Sequence, residues 1–228
     1  MKKFAWAASA LVLAAVLVGA VGIGFSAQTY QPPAGVVIAR DLGTTNFHGK
    51  SYHHVSLDLS TYPDSSGVQP DGKPIHPGGN PSWPAYGPSN LFQVPANSYV
   101  TMTIKQYDSG EPLNNPWFAT VAGTVDGTAT IDGKRVHQIS ADHIGHTFTM
   151  RGLPGVGSKF FLNVPLPPLP EPLVANDAKH PRIITFSFIS GPKGRYVWNC
   201  EFPCGQSVAG FGGAMSAYGF MSGYVNVV

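Results

Sequence analysis

Charge is scarce in this sequence. Of its 228 residues only 11 % are Asp, Glu, Lys or Arg, against roughly 25 % in an ordinary soluble domain. That shortage excludes a coiled coil or a long charged helix. Fourteen Lys and Arg face twelve Asp and Glu, and no basic block occurs, so nucleic acid is not an expected partner. Several enzyme signatures are also missing. There is no G-x-S-x-G, no H-E-x-x-H, no P-loop and no dinucleotide fingerprint. The GFGG run at 210–213 has no helical pattern after it, so it does not read as a phosphate cradle. Cysteine occurs only twice, at Cys200 and Cys204.

Glycine and proline are what the chain has in excess. The 27 Gly and 21 Pro are about one residue in five, against a usual share of roughly 12 %. Hydrophobic residues at 43 % and aromatics at 11 % exclude a charged disordered chain. The combination points to a compact, loop-rich, all-β domain behind a leader.

The leader occupies residues 1–27. Lys2 and Lys3 precede an uncharged run from Phe4 to Phe25, which as a helix would span about 33 Å, enough to cross a bilayer core. It reads as a membrane anchor through residues 4–25 or as a cleaved signal peptide. Either way the lysines stay inside and the rest is expected on the extracytoplasmic face, or secreted if the leader is cleaved. Without Lys2 and Lys3 the net charge of +2 falls to zero. Residues 28–50 read as a tether and first strand region, and 51–228 as the β domain.

Strand patterns recur through that domain. Asn97–Tyr107 alternates well, with Val100, Met102, Ile104 and Gln106 on one face and Tyr99, Thr101, Thr103 and Lys105 on the other. Ser51–Leu59, His146–Met150, Lys159–Val164, Arg182–Ile189, Arg195–Asn199 and Tyr218–Val228 are further expected strands. Thr61–Asn90, with seven Pro and five Gly, and Leu162–Pro181, with its PLPPLPEP polyproline signal, read as long loops. No helical period is found after the leader. Short strands separated by Gly/Pro turns read as a sandwich.

The chemistry concentrates near the C-terminus, where both cysteines sit in Cys200-Glu-Phe-Pro-Cys204. A thiolate, an imidazole and a thioether together suit copper. A local Cys200–Cys204 disulfide in an oxidising compartment is the competing reading. His146 reads either as a ligand or as a structural histidine at the sandwich end. Met221 reads either as a ligand or as core.

Three segments resemble the cupredoxins, the copper-binding β-sandwiches. Ile144-Gly-His146-Thr-Phe-Thr-Met150 is similar to the strand that supplies their first histidine ligand. Gly191-Pro-Lys-Gly-Arg-Tyr196-Val-Trp-Asn-Cys200 is similar to the G-x-Y-x-x-x-C strand that supplies the cysteine. Met221-Ser-Gly223-Tyr-Val-Asn-Val227 is similar to the M-x-G-x-V-x-V pattern in which an axial methionine opens the last strand. The resemblance covers about Ala96 to Val228. The Cys-x-x-x-Cys-Gly element also resembles the binuclear copper loop of cytochrome c oxidase subunit II. That loop continues with His and Met where this chain has Val208 and Phe211.

The resemblance implies a Greek-key β-sandwich with long Pro/Gly loops, preceded by one hydrophobic helix. It implies copper as cofactor and His146, Cys200, Cys204 and Met221 as ligands, with Met215 as a second methionine and His143 as a second histidine. The family's usual histidine between Cys and Met is missing, because no His follows His180. Either Cys204 stands in its place, or one of His143, His53, His54 and His137 does, or the site has lost copper. Trp198, Phe202, Phe211 and Phe220 are candidates for a dry shell around the ligands. The function implied is electron transfer in a respiratory chain, with a cytochrome or oxidase complex as redox partner. A non-enzymatic carrier or an oxidase accessory subunit fits better than an enzyme. A metal-free binding module and a Cu(I) chaperone or store are the alternatives. A multicopper oxidase would need H-x-H pairs, and none occurs.

Overall fold

The computed structural model describes residues 2–29, 35–108, 113–169, 180–207 and 210–228. Helix α1 (Lys2–Thr29) is followed by β1 (Val36–Ile38), β2 (Arg40–Phe47), β3 (Lys50–Tyr62), β4 (Ala85–Gly87), β5 (Leu91–Val94) and β6 (Tyr99–Gln106). Then come β7 (Ala129–Ile131), β8 (Lys134–Val136), β9 (His146–Leu153), β10 (Val156–Leu166), β11 (Arg182–Ile189) and β12 (Gly194–Asn199). The chain closes with β13 (Gln206–Ser207), β14 (Gly210–Phe211), the single turn α2 (Gly213–Ser216) and β15 (Ser222–Val227).

Two sheets form the sandwich. One has the order β1-β5-β15-β12-β9-β10, the other β2-β3-β6-β11-β7-β8 with β4 paired to β3. Strand β6 shows why. Its alternation buries Val100, Met102, Ile104 and Gln106 and turns Tyr99, Thr101, Thr103 and Lys105 outward, because successive side chains of a strand point to opposite faces. On the outer face Thr101 and Thr103 meet Ser187 and Thr185 of β11 at 3.0 and 3.3 Å. On the inner face Ile184, Phe186 and Phe188 of β11 and Leu57 and Leu59 of β3 join the buried set. The opposite sheet contributes Phe92, Phe148, Met150, Leu162, Tyr196, Trp198 and Val225. Trp198 is fully buried and stacks on Phe148 and Phe92, with ring centroids 5.2 and 5.4 Å away.

The expected loops are shorter than their composition suggests. Strand β3 runs on to Tyr62, and Ala85–Gly87 pairs back onto it, so the Pro-rich stretch is pinned at both ends. Strand β10 extends to Leu166, so the second loop starts later; from residue 170 the PLPPLPEP segment lies outside the described residues. The last strand starts at Ser222 rather than Tyr218. The Ser222 hydroxyl donates to Ala217 O, and Gly219 takes a positive φ of 95°, which holds 217–221 in a turn. Helix α2 appears where no helical period is visible, as one turn is too short to show one.

Helix α1 carries apolar side chains all round, with Leu11, Val12, Leu13, Val16, Leu17, Val18, Val21 and Ile23 exposed. Its 28 residues correspond to about 42 Å of helix. Side chains in α1 are described without a break only over 9–23, and among the described residues no helix is long and apolar enough to cross a membrane.

Gly223 shows how tightly the last strand is fitted. The Asn90 carbonyl accepts both Trp198 Nε1–H at 3.0 Å and Tyr224 N–H at 3.1 Å. A Cβ on Gly223 would lie 2.0 Å from that same oxygen. Backbone must move to admit it, so Gly223→Ala is expected to cost about 1–3 kcal/mol of stability. A lowered urea midpoint with unchanged slope checks this.

Candidate metal centre

Three neighbouring strands bring the C-terminal motifs to one end of the sandwich. His146 opens β9, and Cys200 follows directly on β12. In register Asn199 faces Thr149 on one side and Ser222 on the other. Cys200 therefore lies beside Met221, whose carbonyl accepts its N–H at 2.8 Å. The loop from 200 to 221 is fastened internally. Ala214 N–H donates to Cys204 O at 2.9 Å and Met221 N–H to Ala214 O at 3.0 Å. Gly205 makes the turn after Cys204 with a φ of +71°, and a Cβ there would press on Trp83 at 2.9 Å. A side chain would be strained at this position both by backbone conformation and by space.

The three polar side chains converge tightly. His146 Nδ1 lies 3.0 Å from Cys204 Sγ and 3.8 Å from Cys200 Sγ, and the two sulfurs are 3.3 Å apart. Both cysteines are free, and all three residues are at most 4 % exposed. These residues are able to hold a metal ion. The point in their plane equidistant from the three atoms, which are 3.0, 3.3 and 3.8 Å apart, lies about 2.0 Å from each, near usual metal–nitrogen and metal–sulfur lengths of about 2.0–2.3 Å. The sulfurs are also supported from the backbone. Cys200 Sγ accepts the N–H groups of Thr147 and Phe202, each at 3.4 Å, and the Cys204 thiol donates to Phe202 O at 2.9 Å.

On the far side of the imidazole is Asp108, two residues beyond the end of β6 and so from the opposite sheet. Its Oδ2 lies 2.5 Å from His146 Nε2, with both side chains less than a tenth exposed. Burial would keep His146 neutral, but the Asp108 carboxylate reverses this and its pKa is pushed up to about 10. Burial also opposes ionisation of Cys200. The Cys204 thiol, His146 and the Thr147 N–H outweigh that and hold its pKa well below the usual thiol value. The Cys200 sulfur, together with burial, pushes Cys204 well above it. The directions are complementary: Cys200 is the sulfur that gives up its proton first, Cys204 keeps its own, and His146 stays protonated beside Asp108.

The remaining sequence candidates are placed as follows. Met221 is fully buried in the core, one hydrogen bond from Cys200. Met215 is half-buried on α2 and packs against the core. His143 is exposed and pairs with Asp142 at 3.0 Å, three residues before β9 begins, and is not in the cluster. His53 and His54 lie on β3, where they bond Asp41 and Thr101, and His137 bonds Gly127 O. Trp198, Phe202 and Phe220 are buried, and the Phe202 carbonyl lies against both cysteine sulfurs; the Phe211 side chain lies outside the described residues. Tyr86, fully buried with its hydroxyl directed to Thr147 O at 3.4 Å, was not among the expected residues. Nor was Asp108, although an acidic residue closing a well-alternating strand in so charge-poor a chain is a signal.

No protein-family model matches the chain, and no curated protein matches it in sequence. Among solved structures it is similar to one of the copper protein rusticyanin, at 15 % identity over 92 % of this chain and 94 % of that one, with a TM-score of 0.37. It is similar to rusticyanin from Thiobacillus ferrooxidans at 14 % identity, over 83 % and 88 %, with a TM-score of 0.33. It is similar to auracyanin B at 11 % identity, over 83 % and 97 %, with a TM-score of 0.31.

The protonation pattern sets a pH dependence. A metal ion on both thiolates and a neutral imidazole must displace the Cys204 and His146 protons. Cobalt(II) uptake near pH 7 should then release about two protons, and apparent affinity should rise about 100-fold per pH unit. Calorimetry in buffers of different ionisation enthalpy measures this; uptake without proton release would contradict the assignment.

Proposed function

We propose that this chain is an exported, membrane-anchored copper protein of the cupredoxin type that carries electrons in a respiratory chain. The observation that carries this reading is the dry cluster of His146 Nδ1, Cys200 Sγ and Cys204 Sγ at the strand ends, backed by Asp108. Two sulfurs and an imidazole are donors that suit copper. Cys204 takes the place of the family's missing histidine, and Met221, beside Cys200, supplies the thioether. Met215 is the alternative thioether, and His143 is not needed.

When bound, copper supplies a one-electron couple between Cu(II) and Cu(I). The residues supply the rest. The start of β9, the end of β12 and the hydrogen-bonded segment from Cys200 to Met221 hold the donors, so a change of charge at the centre moves little. Thr147 and Phe202 N–H groups steady the Cys200 sulfur, and the aromatic packing of Tyr86, Phe148 and Trp198 excludes water. The anchor reading rests on the uncharged run Phe4–Phe25 within α1 and on Lys2 and Lys3 before it. A cytochrome or oxidase complex at the extracytoplasmic face is the partner class.

One observation favours a second reading. The 3.3 Å between the two sulfurs also suits closure to a disulfide, which would make the domain a metal-free binding module. Copper(II) added to the purified protein separates the two. The copper reading expects an intense visible thiolate-to-copper band that Cys200→Ser abolishes. A colourless protein with an oxidised Cys200–Cys204 pair would sink it.

A further inference from the structure

Asp108 belongs to none of the motifs, yet it touches the centre more closely than any other residue outside the donor set. It reaches His146 Nε2 from the other sheet at 2.5 Å. Its own backbone is fixed from two sides. The preceding Tyr107 N–H donates to Thr61 O at 3.0 Å, and Leu169 N–H donates to Asp108 O at 3.4 Å. The carboxylate therefore has little freedom to leave the imidazole.

We propose that Asp108 is the positioning residue of this centre: it holds the proton on His146 Nε2, aims Nδ1 at the sulfurs, and biases bound copper toward the divalent state. The inference rests on the copper reading above. The first part follows from the two nitrogens being distinct. With the carboxylate holding Nε2–H, Nδ1 is the nitrogen that gives up its proton to a metal, and it is the one facing both sulfurs. The second part follows from charge. Two thiolates and Asp108 place three negative charges in a buried space. A divalent ion leaves one of them unbalanced, and a monovalent ion leaves two. Each negative charge near the metal stabilises Cu(II) over Cu(I), more strongly in a dry site than in water.

Two variants of the full-length protein separate these parts. Asp108→Asn keeps an oxygen that accepts Nε2–H and removes the charge. Its thiolate-to-copper band should persist, while the Cu(I)/Cu(II) affinity ratio rises at least tenfold, a potential increase of about 59 mV. Asp108→Leu removes acceptor and charge together, and copper affinity should fall about 10- to 100-fold. In metal-free protein, nitrogen-15 NMR should find a slowly exchanging proton on His146 Nε2 that persists in Asp108→Asn and is lost in Asp108→Leu. An unchanged potential in Asp108→Asn overturns the charge role. An Nε2 proton signal and copper affinity retained in Asp108→Leu overturn the positioning role. Absence of the copper band in the unmodified protein refutes the copper reading and with it the bias, while the metal-free NMR comparison still decides the positioning role.

Discussion

The hydrogen bond between Asp108 and His146 joins the two sheets at the end of the sandwich where the chemistry lies. A buried ionic pair is costly to desolvate unless further hydrogen bonds compensate. Here each member has further polar neighbours. The imidazole meets both cysteine sulfurs through its other nitrogen, and Cys200 Sγ accepts two backbone N–H groups. The rest of the centre depends on that anchor. With Nε2 tied down, the ring plane is set before any metal arrives, and Nδ1 is the nitrogen left to give up its proton to one. Preorganisation of this kind lets a site bind a metal without first spending free energy on ordering its ligands.

The second constraint is the register of β9, β12 and β15. Neighbouring strands place Cys200 beside Met221, with His146 two residues further along β9 at the same end of the sandwich, and the glycines between Cys204 and Met221 let the connecting loop turn. Gly205 and Gly223 show two different needs. One requires a left-handed backbone and the other a close approach to Asn90 O. The glycine excess in the composition is thus partly a record of how tightly this loop is packed against the sandwich. Such close packing fits the one-electron role proposed above, because reorganisation on changing charge slows transfer.

Much of the sandwich was legible in the sequence for a simple physical reason. Strands such as 97–107 and 182–189 bury one face, so their alternation is visible without any partner. The three-residue strands β7 and, at the sheet edge, β8 bury little, with Lys134 and Arg135 exposed, and left no pattern. The centre was legible in part. His146, Cys200 and Cys204 were expected from motif order, and the structure brings these three together. His143 was indistinguishable from His146 by residue type. Only the start of β9 separates an exposed turn residue from a buried strand residue. Asp108 showed only as an acidic residue closing a strand, because its partner lies 38 residues away in the other sheet, and no local pattern encodes a contact across the sandwich.

The central claim is that two cysteine sulfurs and one imidazole nitrogen form a single metal site. X-ray absorption at the copper edge of the copper-loaded protein tests it most directly. The account predicts two short sulfur scatterers and one imidazole around copper, with one sulfur lost in Cys204→Ser. Copper surrounded only by oxygen and nitrogen, or scattering unchanged in Cys204→Ser, would contradict it.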